Sequence, residues 1–362
     1  MTFCPRGPLS SCFYAPSRPW RTSFQLPAVV SRGPDGRTQP HPPRSARYLY
    51  RQRRGTRAFA GFGDVADRLT QRSAYMVAGG MACRLTHWPP PSSESPFTGG
   101  SLTTFNISTA AALVAAGMGV RVAKHGNRSF TSRSGSADVL EALGVVVDTT
   151  PTAMADTLQQ AGIVFMFAPL MHPALRHVGP IRRELAVPTV MNIVGPLANP
   201  ARAGRQVVGV AERARLDLLA DTLRALGTTR AMVVHGAPGL DEISPLGITE
   251  VREVRGGSVT SWAIDPAAHG IASIATEELA GGDPAENAAV IEAVLNGNGP
   301  AGARAAVLLN AAAALYVSSD ALGYDEAVRL TRVALDGGAG RAALDRLRQA
   351  SRAAAGRWPR HA

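Results

Sequence analysis

From about Thr98 onward, short apolar runs of strand length alternate with helix-length segments, several of which close on a glycine. That alternation narrows the choice of fold, because strands joined by helices pair most readily in parallel, with the helices over the sheet faces. Ser108 and Thr109 are placed to cap a helix over 110–116 that stops at Gly117 or Gly119. A buried strand is expected over 120–123, and a helix opening at Ser136 runs to Leu143 with Gly144 as its stop. Residues 145–147, 163–168, 207–210 and 231–234 read as further strands. Leu216, Leu219, Leu223 and Leu226 recur at helical spacing before Gly227. The stretch 284–352 is mostly helical, and the alanine-rich run 305–317 reads as a buried helix; no uninterrupted apolar run reaches the ~18–20 residues of a membrane span. The expected fold is α/β: a large domain with a mostly parallel central sheet flanked by helices.

The formal charge of +11 suggests a nucleic-acid partner until it is mapped. Residues 1–60 hold eleven arginines, Arg6 through Arg57, against the one acid Asp35, which leaves +1 for the other 302 residues. A near-neutral body argues against a nucleic-acid face on it, although the basic segment permits weak, salt-sensitive binding. Residues 1–60 are rich in Arg, Pro, Ser and Gly, with no helical or strand period. They read as a disordered tail, a targeting peptide, or GC-rich DNA translated out of frame. Frequent prolines weigh against targeting, and the composition favours the last. Residues 61–97 are ambiguous and end in a proline-rich linker, and 98–350 form the α/β domain. Cys4, Cys12 and Cys83 show neither metal spacing nor a disulfide framework, so a reducing cytoplasm is the expectation.

The chain has one lysine, Lys124, in the run Lys124-His125-Gly126-Asn127-Arg128-Ser129. A compact ammonium beside a glycine, an amide and a hydroxyl, just after a buried strand, suits a phosphorylated ligand. Gly99 and Gly100, followed by Thr104, Asn106, Ile107, Ser108 and Thr109 at a helix start, make a second candidate anion cradle. A glycine pair with hydroxyls is common in plain turns, so that motif counts only beside the first. Asp241 and Glu242 follow a strand and a glycine-bearing turn, where adjacent carboxylates can hold Mg²⁺ through water or substrate phosphates. His172, Arg176, His177, Arg182 and Arg183 cluster in one helical stretch; arginines on a helix surface are usually solvated, so pattern alone assigns none of them to a substrate. Residues 192–200 are a rigid turn rich in Pro and Gly.

Together these motifs resemble the anthranilate phosphoribosyltransferase family. The matching runs are 104–109, 124–143, 167–185, 192–200 and 233–244, with the helices over 283–294 and 305–316. The resemblance implies transfer of phosphoribosyl from 5-phosphoribosyl diphosphate (PRPP) to anthranilate, with Mg²⁺, in tryptophan biosynthesis. It implies that Gly99, Gly100, Thr104, Asn106, Ile107, Ser108, Thr109, the run Lys124, His125, Gly126, Asn127, Arg128, Ser129, Phe130, Thr131, Ser132, and Ser136 hold PRPP. It implies Asn127, His172 and Arg182 at anthranilate, and Ser108, Asp241 and Glu242 at the metal, with no covalent nucleophile. It also implies a small N-terminal helical domain and a homodimer if those helices are present; the lack of an apolar run of spanning length leaves no membrane expected. The chain departs from the family in its glycine loop, which reads Pro96-Phe97-Thr98-Gly99-Gly100-Ser101, in Met171-His172-Pro173, and in residues 1–95, which show no counterpart of the helical domain. These departures lie side by side before an abrupt match, as a reading-frame change near residue 98 would leave them. Two alternatives stay open: an impaired or non-enzymatic relative that binds nucleic acid through its basic tail, and a nucleoside phosphorylase.

Overall fold

The computed structural model describes residues 30–32, 38–40, 104–129, 133–172, 194–195 and 197–358. The chain divides into two units, Met1–Arg53 and Arg54–Ala362. In the first, β1 (Val30–Arg32) pairs antiparallel with β2 (Thr38–Pro40). The sequence showed no strand period there.

The second unit carries the α/β body. Its first helix, α1 (Ile107–Gly117), is buried from Ile107 to Ala116. A helix apolar on all sides belongs in a core, and α1 packs against α7 (Ala301–Ser318) and α9 (Ala339–Arg357). Ser108 and Thr109 lie in its first turn, not at the cap. The cap is Asn106, whose carbonyl accepts from the Thr109 and Ala110 N–H groups at 3.0 and 3.2 Å. The next strand, β3 (Val122–Gly126), begins later than the expected 120–123, because Val120 N–H still closes the helix onto Ala115 O. Two helices follow, α2 (Ser136–Ala142) and α3 (Pro151–Ala161). Val145 and Val147 are buried, but 145–147 form no strand: Val145 N–H returns to Leu140 O and Val146 N–H goes to Ser351 Oγ.

β4 (Ile163–Phe167) pairs parallel with β3, and α4 (Ala168–Met171) leads out of it. The second sheet runs β5 (Arg205–Gly209), β6 (Arg230–Gly236), β7 (Thr249–Arg255), β8 (Ser258–Ile264). β5 and β6 are parallel, and the hairpin β7–β8 extends the sheet antiparallel, which the strand pattern did not foretell. α5 (Leu216–Ala225) covers β6 and β7 with Leu216, Leu219 and Leu223 buried. Gly119, Gly144 and Gly227 take positive φ just past their helices, the stops expected of them. Two more helices pack on α7: α6 (Pro284–Leu295) and α8 (Tyr324–Asp336). Among the described residues α7 alone is long and apolar enough to cross a bilayer, and 72% of it is buried inside the protein, as in a core helix.

Candidate active site

The carboxyl ends of parallel strands, where an α/β sheet leaves its open crevice, bring the candidate residues together. Successive side chains on a strand point to opposite faces, and β3 uses this to separate Lys124 from His125. Lys124, 2% exposed, sends its ammonium to Ser108 Oγ at 3.1 Å, in the first turn of α1. Glu242 reaches the same turn, where the Ser108 N–H and hydroxyl support its charge. Burial lowers the Lys124 pKa, with Glu242 opposing. Burial also raises Glu242, Asp241 adds to the rise, and Lys124 and Ser108 oppose it. Asp241 is raised to about 6 by burial, against its own backbone N–H and His235.

His125 turns the other way, to His172, with ring centroids 5.1 Å apart in an edge-to-face pair. Burial first, then His172 and Lys124, push its pKa down to about 3, and burial lowers His172 as well. Both imidazoles are therefore neutral near pH 7. The unfolded histidine takes a proton near pH 6.5 that the folded one refuses until about pH 3. In that window the unfolded state binds more protons, so stability is full above it and falls on acidification. Denaturation at pH 7.5 and 4.5 should show His125→Asn losing about 3 kcal/mol less than the wild type, because about two pH units lie between 6.5 and 4.5 and each carries about 1.36 kcal/mol.

The acidic pair is held from behind. Gly209 ends β5 so close to this loop that a Cβ there would lie 1.6 Å from the Asp241 carbonyl oxygen. Asn310 on α7, 1% exposed, accepts from Ile243 N–H at 2.9 Å and donates to Ile243 O at 2.8 Å and Ala306 O at 2.9 Å. Asn310→Leu strands both Ile243 groups and should cost about 3 kcal/mol, read from chemical denaturation, since each buried unpaired group costs ~1–3 kcal/mol.

The loop after β3 folds over the start of α2. Asn127 O accepts from Ala137 N–H at 3.2 Å and from Ser136 Oγ at 3.5 Å. Asp138 accepts from the N–H groups of Ser129 and Gly135 at 3.0 and 2.9 Å. Arg128 is committed to Glu141 and Asp138, over the Phe167 ring at 5.4 Å. Ile107 is core, with its N–H on Phe105 O, and Thr104 bridges Ala280. Gly126 pairs with Phe167 in the ladder. Gly99, Gly100, Phe130, Thr131, Ser132 and Arg182 lie outside the described residues, as do Arg176, His177 and Arg183. Asn199 ties the 192–200 motif to β3 through Ala123 O at 3.3 Å. Asn310, Ser134 and Asn287 belong to this neighbourhood and were not singled out from sequence. A lone asparagine in the apolar run of α7 was the one available signal.

Four of the candidate residues carry a buried polar atom without a partner among the described residues: Thr109 Oγ1, Asp241 Oδ2, His125 Nε2 and His172 Nε2. Unpaired buried polar atoms are costly and need an explanation, and a polar ligand provides one. For a metal, the donors are oxygens only, and burial raises both carboxyls, so the place is short of positive charge. Among the described residues no cluster of three His, Cys, Asp or Glu could hold a metal alone. Two carboxylates completed by water and phosphate oxygens fit Mg²⁺.

Residues 96–341 match the family described as "Glycosyl transferase family, a/b domain". An anthranilate phosphoribosyltransferase of Rubrobacter xylanophilus is 49% identical over 261 residues, 72% of this chain and 76% of the relative. Anthranilate phosphoribosyltransferase 2 of Streptomyces coelicolor is 51% identical over 256 residues, 70% of this chain and 76% of the relative. Among solved structures, the anthranilate phosphoribosyltransferase of Thermus thermophilus superposes with TM-score 0.67 at 36% identity, covering 85% of this chain and 90% of that one. The Saccharomyces cerevisiae enzyme in complex with PRPP and Mg superposes with TM-score 0.65 at 25% identity, covering 78% and 74%.

Proposed function

Because this chain belongs to the anthranilate phosphoribosyltransferase family of glycosyl transferases, we propose that it transfers phosphoribosyl from PRPP to anthranilate in tryptophan biosynthesis. The observation that carries the reading is the buried constellation of Lys124, Ser108 and Glu242 at the start of α1, with Asp241 beside it. Lys124 and the first turn of α1 bind the diphosphate, a cation and a helix N-terminus acting on one anion. Asn127, with the loop over α2, orients the ribose phosphate. Ser108, Asp241 and Glu242 hold Mg²⁺, which when bound offsets charge on the departing diphosphate.

The neutral His125–His172 pair lies toward the acceptor, where an uncharged wall suits the anthranilate ring, and Arg182 pairs with its carboxylate. In the reaction the anthranilate nitrogen bonds to the anomeric carbon and gives up a proton. The bond from that carbon to diphosphate oxygen breaks, and the oxygen keeps the electron pair. No side chain is covalently consumed; the protein fixes the distance and line of attack. Mass spectrometry of a PRPP, Mg²⁺ and anthranilate reaction should show N-(5-phosphoribosyl)anthranilate and diphosphate in equal amounts. Diphosphate release without that adduct would overturn the choice of acceptor.

A further inference from the structure

Asn106 occupies the N-cap of α1, yet its side chain makes no capping bond. An asparagine there ordinarily turns its oxygen onto the first-turn N–H groups. Here the oxygen is claimed from outside the helix. Asn287 Nδ2 donates to it at 3.0 Å and the Ser134 hydroxyl at 3.3 Å. Asn287 lies near the start of α6 and is 2% exposed. Either end of its amide could face Asn106, and Gly282 decides which. The Gly282 N–H donates to Asn287 Oδ1 at 2.7 Å, so the Asn287 amino group is the end that meets Asn106. One backbone N–H thereby sets the direction of two amides in series. Asn106 is left with its own N–H groups turned away. One reaches Ser134 O at 3.5 Å, and the other has no partner among the described residues.

The backbone around this relay is tightly seated. Phe105 N–H bonds to Leu279 O at 3.0 Å, and Thr104 bridges Ala280. At Gly281 a Cβ would come 2.4 Å from Thr104 O, so this strip lies directly against the chain entering α1. Asp283 then starts α6 with a capping box closed by Glu286.

We infer that Asn287 is a positioning residue for the phosphoribosyl donor: it holds the Asn106 amide with the N–H that Ser134 O does not take toward the anionic ligand, and its oxygen off the start of α1. The inference rests on the PRPP reading above. No single motif carries it, because the two asparagines are 181 residues apart in sequence.

Asn287→Asp tests it. The carboxylate still accepts from Gly282 but has no donor for Asn106, whose amide turns over and presents its oxygen to the ligand. Calorimetric titration with PRPP and Mg²⁺ should show affinity reduced roughly tenfold or more, the size of a hydrogen bond to a charged group. The KM for anthranilate should stay within about twofold, which a general loss of structure would not spare. In an Asn106→Ala background the same substitution should change PRPP affinity by less than about twofold, since its route is gone. If the aspartate variant does not fold, uncharged Asn287→Ser takes its place with the same expected loss and the same cycle. Wild-type affinity in a folded Asn287 variant, or losses that multiply in the double variant, would overturn the proposal alone. A wild type that fails to bind PRPP would overturn it together with the reading beneath it.

Discussion

Asp241→Asn should cut Mg²⁺-dependent turnover by roughly 10²–10³-fold, the cost typical of losing one charge-stabilising group, while making the ligand-free protein more stable. The two effects share a cause. Burial raises the Asp241 carboxyl, its Oδ2 has no partner among the described residues, and its charge pushes Glu242 up as well. Such an arrangement costs stability until a cation arrives. An amide of the same shape removes the repulsion and the need for the cation. Thermal or chemical denaturation of the ligand-free proteins at pH 7.5 should place the variant above the wild type by about 1 kcal/mol, within the range commonly gained by relaxing a functional site. Adding Mg²⁺ and PRPP should reverse the order, because only the wild type gains binding energy from the metal. A variant less stable than the wild type without ligand would mean the carboxylate is structural.

Lys124→Met should weaken PRPP binding by about 100-fold, the upper range for a hydrogen bond to a charged group. Lys124→Arg should not restore it. The position is 2% exposed and sized for an ammonium within 3.1 Å of Ser108 Oγ, and a planar guanidinium needs more room. The methionine variant should also respond differently to pH. Glu242 in the folded wild type already titrates above its unfolded value, with Lys124 restraining the rise. Without the ammonium it rises further. The folded state then binds the extra proton over a wider range, so the variant's stability deficit is small at pH 5 and grows as pH rises. Binding calorimetry and denaturation across pH 5 to 9 would check both parts; a deficit that shrinks with rising pH would contradict the account.

How much of this was legible in the sequence varies with the range of the interaction. Helix starts and stops are local chemistry, so Ser136 with Gly144, and the leucine spacing before Gly227, gave α2 and α5 nearly at their observed bounds. Strand starts were less legible. Val120 and Val145 are as apolar as strand residues, but one closes a helix and the other returns its N–H to Leu140. The hairpin Thr249–Ile264 was missed because its charged alternation, Glu250, Arg252, Glu253 and Arg255, does not look like a buried strand. The site motifs were visible as motifs, Lys124 above all. Which way each residue points was not: Lys124 and His125 are neighbours in sequence and serve opposite faces of one strand. The supporting asparagines were hidden for a different reason. Asn287 and Asn310 act on residues 181 and 67 positions away, and no local pattern encodes that reach.

The central claim is that Lys124, Asp241 and Glu242 frame a site that joins PRPP to anthranilate. The most direct test follows the fluorescence of anthranilate on mixing with this protein, PRPP and Mg²⁺. Fluorescence should fall, and omitting either PRPP or Mg²⁺ should stop the fall. Steady fluorescence with folded protein and all three components present would contradict the claim.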